Sequence, residues 1–361
     1  MISDRPYSEF SSRLHEVAVR RDIPLAGAIE LTARCNLRCV HCCIRDSSQE
    51  DGLTFSVLCR ILDEIAEAGC LWLLLTGGEP LLREDFWDIY AYAKRKGLLI
   101  TLFTNGTLVS ESAAAFLARS RPFSVEITLY GATKQTYEAM TGVDAYDACI
   151  SGIKLLVKHR VPLSLKTMVT TVNRHELEQM KEFAQSLGLR FKYDPVIRPR
   201  LNGSKAPYNV RLPADEVAAF DIVDERRRNE WIQLRREFRA PLTGEYLFNC
   251  GAGRSNFHIT PDGKLLMCSF VPEPSLDLRT NSFASGYRLF AEARQRRPVG
   301  KNPCAECEHL IFCDSCPGVS MLEGDKSGET PVAYYCSVAQ RRAEYFLHEA
   351  DDGEEEGLGQ A

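Results

Sequence analysis

The sequence predicts an α/β protein built on an open partial barrel of six strand-and-helix units of the TIM type, with a cysteine-rich C-terminal extension. Three observations carry this expectation. Short apolar runs alternate with stretches of helical period between residues 25 and 200, the alternation stops beyond them, and most of the 14 cysteines gather near the two ends.

The first strand is AGAIELT, and SVLCRILDEIAEAG follows as a helix, with apolar residues three and four apart and a terminal glycine before the strand LWLLLTG. DFWDIYAYAKRKG is the next helix and LLITLFTNG the next strand. ESAAAFLARS leads to SVEITLYG, YDACISGIKLLVKHR to LSLKTMVT, and HELEQMKEFAQSLG to LRFKYDPV. Strands separated by helices imply parallel pairing with right-handed crossovers. Six units are too few for the eight-unit barrel and suit an open one. In such folds the loops after the carboxyl ends of the strands hold the active site.

Five segments result: an N-terminal segment at 1–24, the barrel at 25–200, a linker and charged helix at 201–245, a cysteine-rich domain at 246–345 and an acidic tail at 346–361. ERRRNEWIQLRRE within the linker reads as a solvated helix laced with opposite charges, with a docking face as the alternative. DDGEEEGLGQA reads as disordered.

The formal charge of −5 over 361 residues offers no basic footprint for a nucleic-acid backbone. Neither a signal peptide nor an apolar run of about 20 residues is present, so the expected location is cytoplasmic, without membrane attachment. Cytosolic thiols stay reduced, which turns the cysteines towards metal or reactive chemistry. Cys59, Cys70 and Cys149 are scattered in apolar or helical contexts and read as buried small hydrophobes.

CNLRCVHCC places Cys35, Cys39, Cys42 and Cys43 on the loop after the first strand. Closely spaced thiolates suit an iron–sulfur cluster. Zinc is the competing reading and needs a fourth ligand, which His41 or Cys43 is placed to supply. The spacing departs from the paired zinc knuckle, and a structural zinc has little to staple at the catalytic end of a parallel sheet.

CNLRCVHC resembles the CX3CX2C signature of the radical S-adenosylmethionine (radical SAM) enzymes, whose fold is a partial barrel of six units. The resemblance implies that Cys35, Cys39 and Cys42 hold a [4Fe–4S] cluster with one iron left open to S-adenosylmethionine, which is cleaved to a 5'-deoxyadenosyl radical. LTGGEP, after the second strand, resembles the family's GGE motif. It implies close backbone approach to the cofactor at Gly77 and Gly78 and a Glu79 carboxylate accepting from the cofactor's ammonium group. His41 stands where relatives have an aromatic residue beside the adenine. Thr128 in TLYG is a candidate cofactor hydroxyl, although Tyr130 replaces the aspartate of many relatives. Asn105 fits a turn as well as a site. Cys43 lies outside the motif and reads as a packing thiol.

Cys250, Gly263, Cys268, Cys304, Cys307, Cys313, Cys316 and Cys336 resemble the SPASM extension of the same superfamily, departing only in the two residues between Cys313 and Cys316. A zinc ribbon is the alternative. The resemblance implies two auxiliary [4Fe–4S] clusters, one held by Cys304, Cys307, Cys313 and Cys336, the other by Cys250, Cys268 and Cys316. The second lacks a fourth cysteine, so water, another side chain or substrate completes it.

The function implied is hydrogen abstraction from a ribosomally made peptide. Many such maturases carry a winged leader-binding domain. The first strand near residue 28 leaves no room for one, which implies a separate small leader-recognition protein, alongside an electron donor such as flavodoxin or ferredoxin. A small-molecule substrate such as a porphyrin or an aminoglycoside is the alternative, and a metal-stabilised binding scaffold a remote one. No catalytic acid or base can be named; Tyr193, Asp194, Arg198 and Arg200, at the end of the sixth strand, face the expected cavity.

Overall fold

A computed structural model describes residues 7–44, 52–237, 246–299, 303, 304 and 306–355. Helix α1 (Tyr7–Arg21) precedes β1 (Ala26–Glu30), α2 (Phe55–Glu67), β2 (Trp72–Thr76), α3 (Phe86–Arg95), β3 (Leu99–Thr104), α4 (Glu111–Arg119) and β4 (Ser124–Thr128). Then come α5 (Lys134–Thr141), α6 (Tyr146–Lys158), β5 (Leu163–Met168), α7 (Leu177–Ser186) and β6 (Arg190–Asp194). Helices α8 (Ala214–Val223) and α9 (Glu225–Glu237) lead into β7 (Asn256–Ile259), β8 (Lys264–Cys268), β9 (Val271–Asp277), α10 (Phe283–Arg294), α11 (Pro317–Leu322) and α12 (Ala333–Glu355). Among the described residues no helix is long and apolar enough to cross a membrane.

The nine strands among the described residues form one sheet in the order β6-β5-β4-β3-β2-β1-β7-β8-β9. The first six pair in parallel as a partial barrel, and β7 continues it by pairing in parallel with β1, Ala26 opposite Asn256. β8 turns back antiparallel to β7 through Gly263, and β9 pairs antiparallel with β8. The cysteine-rich region therefore extends the barrel sheet itself. A hydrogen bond of 2.7 Å between Glu30 of β1 and His258 of β7 reinforces the junction.

Burial alternates along the strands as a one-sided core requires. Leu73, Leu75, Val125 and Ile127 pack under the helices with Leu58, Ile61, Leu62 and Ile65, which recur at helical spacing on α2. Thr54 caps α2 by accepting from Val57 N. The pattern expected between residues 25 and 200 is present, with α5 as an added helix ahead of α6.

Three readings change, and the N-terminal segment gains a helix. Helix α1 occupies most of the N-terminal segment, and its His15 stacks on Trp72 at 5.3 Å between ring centroids. The charged stretch ERRRNEWIQLRRE is α9, preceded by α8, and it is no freely solvated rod: Trp231 packs beside Phe312 and Phe346. Helix α12 runs into the acidic tail because Ala339, Ala343 and Phe346, at helical spacing, cover Phe312; residues 356–361 lie outside the described part. Cys70 and Cys149 are buried in the core, but Cys59 is only half-buried and stands outside it.

An ion network joins these C-terminal elements. Arg342, fully buried on α12, reaches Asp221 of α8 and Asp314 at 2.6 Å each and donates to Phe312 O at 2.9 Å. Arg227 of α9 takes the other oxygen of Asp221 at 2.6 Å. Losing one member of a buried ionic group leaves an uncompensated charge. Arg342→Met is accordingly expected to cost about 3 kcal/mol, read as a lower urea midpoint with unchanged slope. A loss below about 1 kcal/mol would show that Arg227 alone satisfies Asp221.

Candidate active site

The loop after β1 is pinned from two sides. Arg38 N donates to Thr141 O at 2.7 Å and Val40 N to Met140 O at 2.9 Å, which fixes it to the end of α5. On the other side, Gly78 N donates to Thr32 O and Glu79 N to Arg34 O, both at 2.8 Å. This approach explains the glycine pair. A Cβ at Gly77, where φ is +135°, would lie 2.4 Å from Thr32 O, and one at Gly78 would lie 2.2 Å from Arg34 O. Both glycines line the cavity above, yet the contact that excludes a side chain is with the cysteine loop's own backbone.

Glu79 is fully buried below them. Its carboxylate accepts from Thr104 Oγ1 at 2.8 Å, Asn105 N at 2.7 Å and Leu81 N at 3.1 Å. Burial pushes its pKa up, and the three donors pull against that. The residue ties β2 to the end of β3 and does not line the cavity. Asn105 both makes a turn, accepting from Thr107 N at 3.0 Å, and braces the cysteine loop, donating to Asn36 Oδ1 at 2.8 Å with Cys35 Sγ at 3.9 Å.

Cys35, Cys39 and Cys42 share the wall of a cavity of about 650 Å³ with Cys43, His41 and Tyr130. Burial raises Cys35 and pushes Cys39 up to about 12; the neighbouring thiols add to both shifts, and the Tyr130 hydroxyl opposes that of Cys39 by hydrogen bonding. The His41 ring lies 5.3 Å from that of Tyr130. Burial lowers its pKa to about 4, so the imidazole is neutral, and its buried Nδ1 has no partner among the described residues. Cys43 is exposed to the cavity, where the enclosing walls push it up to about 12; it is no packing thiol. Thr128 ends β4 opposite Lys166 and does not line the cavity.

The remaining cysteines form two groups. Burial raises Cys268 and Cys316, and the neighbouring Cys250 thiol adds to both; burial likewise raises Cys304, Cys313 and Cys336, with neighbouring thiols among Cys304, Cys307 and Cys336 adding to each. Among the described residues no three His, Cys, Asp or Glu side chains are drawn together at the spacing of a single metal ion. The donor set of the first loop nonetheless suits a cluster: three soft thiolates from one loop, open towards a cavity. The unpartnered His41 Nδ1 and the Tyr130 face suit an aromatic ring system with polar edges beside it.

Of the residues at the end of β6, Arg198 lines the cavity, while Tyr193 lines a separate surface groove and donates to Phe220 O at 3.2 Å. Asp194 caps the following turn by accepting from Val196 N at 2.8 Å, and neither it nor Arg200 lines the cavity. Sequence reasoning missed Arg38, Met168, Val196, Ile197 and Phe270 as lining residues. Met168 was findable as the last residue of a parallel strand; Phe270 carried no signal beyond lying two residues past Cys268.

Replacing Glu79 by Gln sets an amide N–H2 against Asn105 N–H or Leu81 N–H, leaving a buried donor unsatisfied at a cost of about 1–3 kcal/mol. The expected readout is faster amide hydrogen exchange over residues 32–42 and 105–107, by about tenfold or more. Unchanged exchange there would show that Glu79 does not hold the loop.

Residues 29–184 match the Radical SAM superfamily. The AdoMet-dependent heme synthase of Methanosarcina barkeri is 27% identical over 340 residues, 86% of this chain and 97% of that one. The mycofactocin maturase MftC of Mycobacterium tuberculosis is 27% identical over 326 residues, 83% of this chain and 79% of its own. Streptococcus suis SuiB, solved bound to precursor peptide SuiA, shares the fold with a TM-score of 0.68 at 18% identity, over 93% of this chain and 82% of that one. The superfamily match runs from β1 into α7 and includes the cysteine loop, and the chain is a radical SAM enzyme, of a family that uses a [4Fe–4S] cluster and S-adenosylmethionine, with relatives of the SPASM type.

Proposed function

We propose that the enzyme modifies a ribosomally made peptide, abstracting hydrogen from it in the cavity above Cys35, Cys39 and Cys42. The observation that carries this reading is the cavity itself, open beside the cysteine loop and reaching Phe270 and Arg198 near the Cys250, Cys268 and Cys316 group. It lies within the size range of ligand sites. A peptide side chain threaded into it would lie between the two thiol groups. The likeness to a mycofactocin maturase, and to a fold solved with a precursor peptide, supports the same substrate class.

In this reading Cys35, Cys39 and Cys42 hold the cluster, and His41 and Tyr130 flank the cofactor's adenine. Gly77, Gly78 and Glu79 fix the loop's shape from beneath. Thr128 stays a candidate for a contact through the barrel interior. The bound cluster and S-adenosylmethionine supply the 5'-deoxyadenosyl radical. Cys304, Cys307, Cys313 and Cys336 would hold one auxiliary cluster and Cys250, Cys268 and Cys316 another, whose incomplete ligand set leaves a place for electron transfer or substrate. A small leader-recognition protein and a flavodoxin or ferredoxin complete the system.

A porphyrin or another small molecule is the second reading, favoured by the likeness to a heme synthase across nearly all of that protein's length. The two separate by mass spectrometry. Anaerobically reconstituted enzyme with S-adenosylmethionine and reductant is expected to change the mass of a genomically adjacent precursor peptide, most efficiently with a neighbouring recognition protein present. An unchanged peptide alongside turnover of a carboxylated porphyrin would replace the first reading with the second.

A further inference from the structure

Two arginines, Arg83 of the barrel and Arg342 of the extension, are closely held. Arg83 forms a two-point pair with Asp85 at 2.8 and 2.7 Å and donates to Leu31 O and Leu53 O at 2.9 and 3.0 Å. Arg342 is held equally closely. Arg198 is different. Its guanidinium reaches Asp314 O at 3.5 Å and comes no nearer than 4.0 Å to Asp194 Oδ2, and its buried Nε has no hydrogen-bond partner among the described residues. A guanidinium offers five N–H donors, and leaving them unmet in a half-buried place is costly.

The surroundings say what would meet them. Arg198 lines the active-site cavity with Met168, Val196, Ile197 and Phe270, whose ring centroid is 5.6 Å from the guanidinium carbon. Its charge bears on the thiols of Cys43 and Cys316, which places it between the two thiol groups. A cation in an apolar wall suits an anion of single charge on an apolar body. The planar fork of Nε and Nη matches the two oxygens of a carboxylate.

We propose that Arg198 anchors a carboxylate of the substrate between the first cysteine loop and the Cys250, Cys268 and Cys316 group. This rests on the cavity being the substrate site, and it holds for a peptide carboxylate or a small-molecule carboxylate alike. The anchor fixes one end of the substrate, so that the carbon chain leading from it runs along Phe270 and Met168 towards Cys35, Cys39 and Cys42.

The test is protection of Arg198 from phenylglyoxal, followed by peptide mass spectrometry on anaerobically reconstituted holoprotein with S-adenosylmethionine and no reductant. Saturating 3-phenylpropionate is expected to slow modification of Arg198 by about tenfold, with 3-phenylpropionamide and equal ionic strength of chloride without effect. Two larger probes distinguish the source of the carboxylate: a synthetic hexapeptide as free acid against its C-terminal amide, and a tetracarboxylate porphyrin. Protection by the porphyrin and not by the peptide acid would overturn the peptide reading and leave the anchor standing. Equal protection by 3-phenylpropionate, its amide and chloride would overturn the anchor. So would loss of bound iron in Arg198→Gln, because the cation would then serve a cluster.

Discussion

One buried carboxylate holds the catalytic end of this barrel together. Glu79 accepts from two residues at the end of β3 and from its own turn, while its backbone N–H and that of Gly78 grip the loop leaving β1. Three neighbouring strand ends are thereby fixed at one place. A charged group of this kind is tolerated out of water only because each donor is aimed at it. The cysteine loop carries no regular secondary structure of its own, so its shape is the shape that this carboxylate, the glycine pair and the end of α5 impose.

The same end of the sheet explains why the C-terminal extension matters. Because β7 pairs directly with β1, the strand that carries the first cysteine loop is also the strand on which the extension is built. Sheet continuation sets Cys268 at the end of β8, two residues from Phe270 in the cavity wall. Arg342 and Asp221 then lock α8, α9 and α12 around the loop that contains Cys313 and Asp314. Distances between the thiol groups are thus set by hydrogen-bonded backbone and buried ion pairs, which suits a site where electrons and a reactive species must be confined.

Much of this was legible in the sequence because it is local. Strands such as LWLLLTG and SVEITLYG announce themselves by apolar runs and alternation, and the loop cysteines by their spacing. Other features are properties of contacts between distant segments. Nothing in NFHI says that it pairs with AGAIE, and nothing in the run GGEP says whether its carboxylate points at a ligand or at the next strand. Asn105 looked like a turn residue because it is one; its second role, bracing Asn36 across the loop, depends on a neighbour 69 positions away. The acidic tail misled for a related reason. Its charges suggested disorder, while Ala343 and Phe346 had already committed α12 to packing on Phe312.

The central claim is that Cys35, Cys39 and Cys42 support radical chemistry on S-adenosylmethionine. The most direct measurement is 5'-deoxyadenosine formation by anaerobically reconstituted protein given S-adenosylmethionine and a strong reductant, beside a variant with all three cysteines changed to alanine. The account predicts product from the parent and none from the variant. Product from both, or from neither when the parent is shown to carry its iron and sulfide, would contradict it.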